Sequence, residues 1–456
     1  MKDNTSADPV PSSERLAHGK SMRSAVPRGE HGRWQPVPDR LNCLDLLTES
    51  NQGRLEQLIP IRYGRMLQSP FTFYRGAAAV MAYDLSSTPS TGVRVQACGD
   101  CHLMNFGLFA TPERNLVFDL NDFDETLPAP WEWDVKRLVA SIVVAARDVG
   151  HSEQKAREAA EACANSYRDH LREFSEMSPL DVWYFRIDAD ILIDKAPDEE
   201  SRARRLAIGA KARSRIGEYL FPKITEAVGG AHRIVDQPPL IYHVEADDAQ
   251  ERIMEGLRDY RDSMPEERRV LFNRYRLEDF AVKVVGIGSV GTRSYIGLFF
   301  SEDHHPLLLQ FKEARKSVLA PYAGAGPYEN QGERVVHGQR LMQSASDIFL
   351  GWVRGRRGYD FYVRQLRDMK FTVPLAEMSP LQIARYGEIC AWTLARAHAK
   401  GGDAATISGY IGGGDKFAEA MGRFAVAYAD QNEQDYAALQ QAERDGRIDV
   451  MRETEK

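Results

Sequence analysis

The sequence predicts an α+β protein of two lobes, in which helices and strands are segregated along the chain. Residues 41–275 show mostly the apolar spacing of helices, interrupted by one short strand and one polar hairpin. Residues 276–375 are rich in β-branched residues, punctuated by glycine, and contain one helical segment. Residues 376–456 return to helical spacing. Segregation of this kind is typical of α+β folds rather than of alternating α/β folds.

Composition excludes several classes of protein. The chain has 456 residues, a formal net charge of −7 and 43% hydrophobic residues, which is ordinary for a globular protein. The negative charge argues against binding to nucleic acid or to anionic membranes. No apolar run approaches the roughly 18 residues of a membrane span. Five scattered cysteines do not form a disulfide framework, and Cys98-x-x-Cys101 lacks the second pair of a zinc site. We therefore expect a cytoplasmic protein with no nucleic-acid or membrane partner.

The elements of the N-terminal half follow from local patterns. Residues 1–40 are polar and rich in proline, so we expect a flexible or loosely docked arm. "TGVRVQACGD" predicts a short strand. "NFGLFATPERNLVFDLNDFDE" predicts two strands joined at the turn residues "TPERN". "WEWDVKRLVASIVVAARD" then predicts a helix with one apolar face.

The β-rich block is predicted in the same way. "FAVKVVGIGSVGTRSYIGLFF" and "HPLLLQFKEA" predict a glycine-marked hairpin and the strand after it. "GERVVHGQRLMQSASDIFLGW" predicts a helix, and "YDFYVRQLRDMKFTV" predicts further strands. "SPLQIARYGEICAWTLARAHAKGG" predicts a long helix with Ser379 at its start and glycine at its end.

A group of polar residues follows the first predicted strand. "ACGDCHLMNFG" contains Asp100 and Asn105, and the next hairpin presents Asp119, Asp122 and Asp124. Carboxylates that converge on one site repel one another unless a cation lies among them. Carboxylate and amide oxygens suit Mg²⁺, which also binds phosphate oxygens and water. The alternative is a turn rich in Asp and Asn whose carboxylates are solvated. The strand spacing of the aspartates favours the metal hypothesis.

A second motif lies in the β-rich block. Gly286, Gly288 and Gly291 follow the spacing Gly-x-Gly-x-x-Gly, with Ser289 between them. Glycines allow backbone N–H groups to approach a phosphate, although a tight hairpin also explains them. A dinucleotide-binding fold would require a helix directly after the motif, and a strand follows instead. Lys312 ends an apolar strand, where a lysine is either solvated or reaches inward to phosphate.

Six segments resemble motifs of aminoglycoside phosphotransferases and other small-molecule kinases of the protein-kinase-like fold. "GDCHLMNFG" resembles their catalytic loop, and "LNDFDE" resembles their metal-binding segment. "GIGSVGTRSYIG" and "LLLQFKEA" resemble the glycine-rich loop and the strand that carries the lysine. "PAPWEWDVKRL" resembles the following helix, whose Asp (here Asp134) braces the catalytic loop. "LARAHA", residues 394–399, resembles the helix before that loop.

The order of these segments differs from that of the kinases they resemble. In those kinases the glycine loop, the lysine and the "LARLHA" helix precede the catalytic loop. Here the catalytic loop and metal segment come first, and "LARAHA" comes near the end. The resemblance therefore implies a circularly permuted kinase-like fold, whose small β-rich lobe is encoded C-terminally. The chain from about residue 60 also resembles a bacterial family catalogued as domain of unknown function 2252, a name that assigns no activity.

The kinase resemblance implies an ATP- and Mg²⁺-dependent phosphotransferase. Asp100 would be the catalytic base, and Asn105, Asp122 and Asp124 would hold the metal. Asp119 rivals Asp122, which we favour because Phe follows it. The glycine loop and Lys312 would hold the phosphates of ATP.

The partner of Lys312 and the acceptor are less well defined. Glu333 opens the helix that would carry the glutamate partner, whereas Glu313 follows Lys312 on the strand and would point to the opposite face. The kinase resemblance implies that the acceptor is a small molecule with a hydroxyl group, and the sequence does not identify it. Arg75 and Arg364 are candidate anion contacts.

Three other functions remain open at this stage. The chain could be a nucleotide-binding pseudokinase that regulates a partner, or could transfer AMP with the nucleotide reversed. A metal-dependent hydrolase is a further alternative, which the glycine loop disfavours. If the permutation is correct, Lys312 and Asp122 lie within roughly 10 Å of each other, because both address one phosphate–metal cluster. Helix 380–399 should then pack beneath the catalytic loop, with His398 and Ala399 near the strand that leads into it.

Overall fold

A computed structural model describes residues 10–453, except 197, 215–216, 245–248, 367–370, 372–373 and 376. Residues 1–9 of the expected arm lie outside the described residues, as does most of the "RDMKFTV" segment that we expected to be a strand.

The first half of the chain is mostly helical, with four short strands. Its elements are α1 (Ser12–Ser21), α2 (Cys43–Asn51), α3 (Ile59–Met66), α4 (Pro70–Gly76), α5 (Ala78–Ser86), β1 (Arg94–Ala97), β2 (Phe106–Ala110), β3 (Leu116–Leu120), β4 (Leu127–Pro130), α6 (Trp131–Asp148), α7 (Glu153–Glu176), α8 (Pro179–Tyr184), α9 (Ala189–Asp194) and α10 (Glu199–Arg213).

The second half contains the main sheet and three C-terminal helices. Its elements are α11 (Gly217–Ile224), β5 (Thr225–Val228), β6 (Ala231–Ile234), β7 (Ile241–Tyr242), α12 (Ala249–Asp262), α13 (Glu266–Phe272), β8 (Tyr275–Lys283), β9 (Ser294–Ser301), β10 (Pro306–Ala314), α14 (Ala320–Ala323), α15 (Gln331–Met342), β11 (Gly351–Arg354), β12 (Asp360–Gln365), α16 (Pro380–Gly401), α17 (Ala404–Ile411) and α18 (Lys416–Arg444).

The helical core is built around α6. All but the last two residues of α6 are buried, because α7, α16 and α18 pack against it on different sides. Helix α16 starts where the sequence predicts, at Ser379, whose side chain accepts a hydrogen bond from the backbone of Gln382. Its apolar face packs along α7 and reaches β1. The polar segment between β1 and α6 is therefore held over a rigid support.

The main sheet is antiparallel, with six strands in the order β11-β12-β10-β9-β8-β7. The structure is therefore α+β and mostly helical, as the sequence predicts at this level. In β10, Lys312 shares one face with Gln310, and Glu313 shares the opposite face with Phe311. The register sets Lys312 directly opposite Tyr362 of β12. The side chains of Lys312 and Tyr362 therefore lie next to each other on the same face of the sheet, where both can contact one group.

Residues 10–40 of the expected flexible or loosely docked arm pack against the helical core. Helix α1 packs on α17, and the side chains of His31 and Trp34 are buried. Arg40 forms ion pairs with both Asp84 and Asp435, at 2.7 Å each. The segment has few aliphatic residues, but polar contacts and two buried rings attach it to the helical core.

A second difference concerns residues 217–272, which the sequence analysis assigned to the helical lobe. Ile224 of α11 and Ile234 of β6 pack with Ile296 on one face of the sheet. Tyr260 of α12 packs with Phe311 on the other face. These elements cover the sheet and form one unit with it. Helices α11, α12 and α13 agree with the expected helical spacing, whereas β5, β6 and β7 lie in the same range, and spacing does not reveal which surface a helix covers.

Within the described residues, every helix is too short or too polar to cross a lipid bilayer.

Candidate active site

A cavity of about 540 Å³ lies between the helices of the N-terminal segment, the loop after β1 and the edge of the main sheet. Side chains from all three regions form its walls. They include Asp100, His102, Asn105, Asp122, Asp124, Glu125, Gly286, Gly288, Ser289, Arg54, Arg62, Arg75 and Arg315. Segments far apart in sequence therefore meet at one cavity.

The loop that carries Asp100 is fixed from below by Asp134 of α6. The Asp134 carboxylate accepts hydrogen bonds from the backbone N–H groups of Cys98, at 2.6 Å, and Gly99, at 2.9 Å. His398 of α16 lies 3.2 Å from the same carboxylate and is bound at its other ring nitrogen by Tyr167. The position of His398 agrees with the expectation that α16 packs beneath this loop.

Gly99 is required by the backbone of this loop. Its φ of +85° is rare for residues with a side chain. A Cβ atom at this position would lie 2.3 Å from the carbonyl oxygen of Glu125. The loop thus passes so close to the segment after β3 that only glycine fits.

Asp100 faces the cavity and is held by Arg137. The Nε atom of Arg137 donates to Oδ1 of Asp100 at 2.6 Å, and a second guanidinium nitrogen lies 2.5 Å from the same oxygen. Burial raises the pKa of Asp100 above its ordinary value, and Arg137 only partly opposes this. Asn105 donates its side-chain nitrogen to the backbone oxygen of Asp100 at 2.5 Å. This bond leaves the amide oxygen of Asn105 as a candidate metal ligand.

His102 has a structural role in the loop. Its Nδ1 atom accepts a hydrogen bond from the backbone of Met104 at 3.2 Å. Burial, together with Arg75 and Arg137, lowers the pKa of His102 well below its ordinary value. The ring is therefore neutral at physiological pH, as an acceptor at Nδ1 requires.

The buried side chain of Lys312 extends from β10 to Asp122 and Asp124, which line the cavity. Its Nζ atom lies 3.9 Å from Asp122, well inside the separation of roughly 10 Å expected from the permuted order. It also forms an ion pair with Asp124. Burial alone would lower the pKa of Lys312, but Asp122 and Asp124 raise it above its ordinary value. The pKa of Asp124 is lowered below its ordinary value, because the charge of Lys312 outweighs the effect of burial on the carboxylate.

Asp124 is the centre of a wider network. The hydroxyl of Tyr362 donates to Asp124 at 2.8 Å, and the hydroxyl of Ser289 donates to its other oxygen at 3.1 Å. Ser289 belongs to the glycine-rich loop, so this contact attaches that loop to the segment after β3. The register of β10 and β12 explains why Lys312 and Tyr362 meet the same carboxylate.

The glycine-rich loop joins β8 to β9 and contains no long helix. Gly286 and Gly291 have φ values of +69° and +88°, which favour glycine. A Cβ atom on Gly288 would lie 3.3 Å from the backbone oxygen of Arg75, so the loop approaches α4 closely. Gly286, Gly288 and Ser289 line the cavity, whereas Gly291 packs against the side chain of Arg54.

Asp119 does not belong to the site, contrary to the expected convergence of three aspartates. Its carboxylate is buried and forms an ion pair with Arg396 of α16 at 2.6 Å. It also accepts hydrogen bonds from the backbone and the hydroxyl of Ser344, both at 2.8 Å. Asp119 lies on β3, whereas Asp122 and Asp124 follow the strand and turn toward the cavity.

Glu333 is not the partner of Lys312. It lies 3.7 Å from His337 on the same helix and is absent from the cavity wall. Glu313 points to the opposite face of the sheet, as expected, where it binds Arg293 at 3.2 Å. Lys312 instead takes its counter-charge from Asp122 and Asp124.

The family follows from comparison with known sequences. The profile of a family described as "Uncharacterized protein conserved in bacteria (DUF2252)" matches residues 54–442. The chain belongs to this family. No curated protein matches this DUF2252 chain, and no solved structure matches it.

Sequence reasoning missed several residues of the DUF2252 site. Arg137 follows Asp134 by three positions on α6, so both face the loop from one side of the helix. The spacing of three positions from Asp134 could have identified Arg137 from the sequence. Tyr362 could be found only from the register of β12. Arg364, a candidate anion contact, instead binds Gln310 at 3.1 Å and the backbone of Asn121.

Few protein groups at the cavity are available to bind a metal ion. Among the residues that the structure describes, no three His, Cys, Asp or Glu side chains are grouped to hold a metal ion. Asp122, Asp124 and the amide of Asn105 are hard oxygen donors on the same cavity wall. Such a set fits Mg²⁺, which binds through one or two carboxylates together with water and substrate phosphates.

Proposed function

We propose that this protein is an ATP- and Mg²⁺-dependent phosphotransferase that acts on a hydroxyl group, with a circularly permuted kinase-like fold. The observation that carries the proposal is the meeting of the buried Lys312 with Asp122 and Asp124, two carboxylates that line the cavity. Nothing in their separation along the chain requires this contact. Phosphoryl transfer requires a cation and metal-ligating carboxylates beside the same phosphates.

The sheet side of the cavity supplies the phosphate contacts. Gly286 and Gly288 expose backbone to the cavity, where N–H groups can bind phosphate oxygens. Lys312 is fully charged because its carboxylate partners raise its pKa. In this proposal, Lys312 exchanges part of its contact with Asp124 for a phosphate oxygen when the nucleotide binds.

The opposite wall holds the metal ligands and the base. Asp122, Asp124 and Asn105 hold Mg²⁺, which neutralises charge on the phosphate oxygens. Asp100 accepts the proton of the attacking hydroxyl. Its Oδ1 atom is bound by Arg137, which leaves Oδ2 for the acceptor. The hydroxyl oxygen forms a bond to the γ-phosphorus, the bond from that phosphorus to the bridging oxygen breaks, and ADP leaves.

Binding and transfer should respond differently to substitution. Asp100→Asn should abolish transfer from γ-labelled ATP and leave the affinity for Mg²⁺–ATP nearly unchanged. Asp122→Ala should weaken Mg²⁺-dependent nucleotide binding, measured by calorimetry. The exposed Asp303→Asn is the matched control and should change neither. No rise in Tm with millimolar ATP and any divalent metal would refute the proposal.

A second candidate is a nucleotide-binding protein that transfers nothing. The three donors that bind Asp124 favour it, because Lys312, Tyr362 and Ser289 occupy both oxygens of a required metal ligand. Incubation with ATP labelled in turn at the α- and γ-phosphate separates the possibilities. Transfer of γ-label supports phosphotransfer, transfer of α-label identifies AMP transfer, and nucleotide binding without either supports the non-catalytic candidate.

A further inference from the structure

Three arginines, Arg54, Arg62 and Arg75, line the helical wall of the cavity, and none of them forms an ion pair with a carboxylate of the described residues. Arg54 donates to the backbone oxygens of Ser50, at 3.0 Å, and Val290. Arg62 binds the Ser50 hydroxyl at 3.0 Å, the backbone of Gly76 at 3.0 Å and the Asn51 amide. The buried Nε atoms of Arg62 and Arg75 have no hydrogen-bond partner among the described residues.

Several buried arginines elsewhere in the protein have carboxylate partners, whereas Arg334 of α15 binds only the Gln331 amide and backbone oxygens. Arg40 binds two aspartates, Arg137 binds Asp100, and Arg396 binds Asp119. A buried guanidinium without a counter-charge is costly, because desolvation of the cation is not repaid. On the cavity wall, burial lowers the pKa of Arg54 and Arg75, and lowers that of Arg62 to about 10. The wall therefore presents cations that lack an anion.

The acids that line the cavity form no ion pair with these three arginines in the part of the chain that the structure describes; they are Glu49, Asp100, Asp122, Asp124, Glu125 and Glu313. Asp100, Asp124 and Glu313 are paired with Arg137, Lys312 and Arg293 respectively. The carboxylate of Glu125 accepts the backbone N–H of Val318 at 2.7 Å, and burial raises its pKa to about 7.

Arg75 lines the same cavity as the proposed base and metal ligand, Asp100 and Asp122, whose charges act on its guanidinium. It belongs to α4, and the glycine-rich loop approaches its backbone oxygen at Gly288. An anionic group bound by Arg75 in this cavity would therefore lie near Asp100 as well as near that loop.

We propose that the acceptor is an anionic hydroxy compound, whose phosphate or carboxylate group is bound by Arg75 with support from Arg62 and Arg54. This inference rests on the proposed phosphotransfer. An anion completes the hydrogen bonding of the arginines and offsets their desolvation. A polycationic acceptor such as an aminoglycoside would be repelled by the same wall.

Four compounds on one three-carbon skeleton test the charge preference. They are glycerol 3-phosphate, glycerate, uncharged glycerol and cationic 3-amino-1,2-propanediol. Each is titrated into the full-length protein, saturated with Mg²⁺ and a non-hydrolysable ATP analogue, and Kd is measured by calorimetry. We expect both anions to bind at least tenfold more tightly than the other two compounds. The comparison of glycerol 3-phosphate with glycerate then shows whether a phosphate or a carboxylate group is preferred.

Three variants test the role of Arg75. Arg75→Gln should weaken binding of the anions about tenfold or more, because charge-assisted hydrogen bonds are lost. Arg75→Lys should keep the preference for anions at lower affinity. The exposed Arg276→Gln is the control and should behave as wild type. Far-UV circular dichroism establishes that each variant is folded.

The inference is overturned if all four compounds bind alike or not at all, or if folded Arg75→Gln keeps full affinity for the anions. It is also overturned if anions bind the free protein but not the protein saturated with analogue, because the arginines would then serve the phosphates of the nucleotide. Failure of the phosphotransfer proposal is distinguishable, since the analogue itself would not bind wild type.

Discussion

Lys312 of the main sheet and Asp124 of the loop after β3 form an ion pair that joins the two sides of the cavity. Both side chains are mostly buried, so neither charge is well solvated. Removal of one partner leaves the other as an uncompensated charge, which costs about 3 kcal/mol or more in proteins.

Lys312→Met should therefore lower the free energy of unfolding by about 3 kcal/mol, measured by urea denaturation. The double variant Lys312→Met/Asp124→Leu should lose less than the sum of the single variants, because no charge is stranded. Lys155→Met, in an exposed ion pair with Glu158, is the control, with an effect of at most about 1 kcal/mol. Additive losses in the double variant would contradict the assigned pairing.

Buried His31 should make stability fall at acidic pH. Burial, together with Lys136, lowers its pKa from 6.5 to about 3. Between these values the unfolded chain binds a proton that the folded chain does not, so stability is full above pH 6.5 and is lost as pH falls toward 3. At pH 4.5 the loss attributable to His31 should be about 3 kcal/mol.

The comparison of His31→Gln with wild type isolates this effect. Unfolding free energies between pH 4.5 and 8 should fall less steeply in the variant. The exposed His18→Gln is the control and should leave the slope unchanged. Parallel curves for wild type and His31→Gln would contradict the lowered pKa.

Asp134→Ala should destabilise the protein and disorder the loop of Asp100. The substitution removes the acceptor of two buried backbone N–H groups, those of Cys98 and Gly99, at about 1–3 kcal/mol each. We expect a loss of about 2–6 kcal/mol in urea denaturation. The exposed Asp430→Ala should lose less than about 1 kcal/mol. Equal losses would mean that Asp134 does not anchor the loop.

A comparison of two glycines distinguishes the stability cost of backbone strain from the stability cost of a steric clash. Gly92 and Gly99 have similar positive φ values, but only at Gly99 would a Cβ atom meet another residue. Gly92→Ala should cost about 1 kcal/mol from backbone strain alone. Gly99→Ala should cost distinctly more, because the Glu125 carbonyl must move, and should also abolish nucleotide binding. Similar stabilities for the two variants would contradict the close packing at Gly99.

The sheet and the long helices could be predicted because their periodicities are local. β10 reads as an apolar strand, and α16 has both a capping residue and an apolar stripe. Asp100, Asn105 and Lys312 were found because each lies in a short motif with its own chemistry. Their meeting at one cavity was expected only from the resemblance between several motifs in cyclic order.

Interactions between distant residues could not be predicted in the same way. Asp119 resembles its neighbours Asp122 and Asp124 in sequence, and only its partner Arg396 on α16 removes it from the site. Glu333 has the right place on its helix, but Lys312 already has carboxylate partners. The docking of residues 10–40 rests on contacts such as that of Arg40 with Asp435, which leave no periodic pattern.

The contacts of Arg396 with Asp119 and of His398 with Asp134 determine when, during synthesis of the chain, the loop of Asp100 can be supported. A ribosome translates the loop of Asp100 early and helix α16 near the end. A nascent chain that stops before α16 carries the complete loop sequence without the helix that anchors it. The loop of Asp100 therefore gains this support only after α16 has been synthesised, and a chain that ends before α16 contains every residue of the loop but lacks its support.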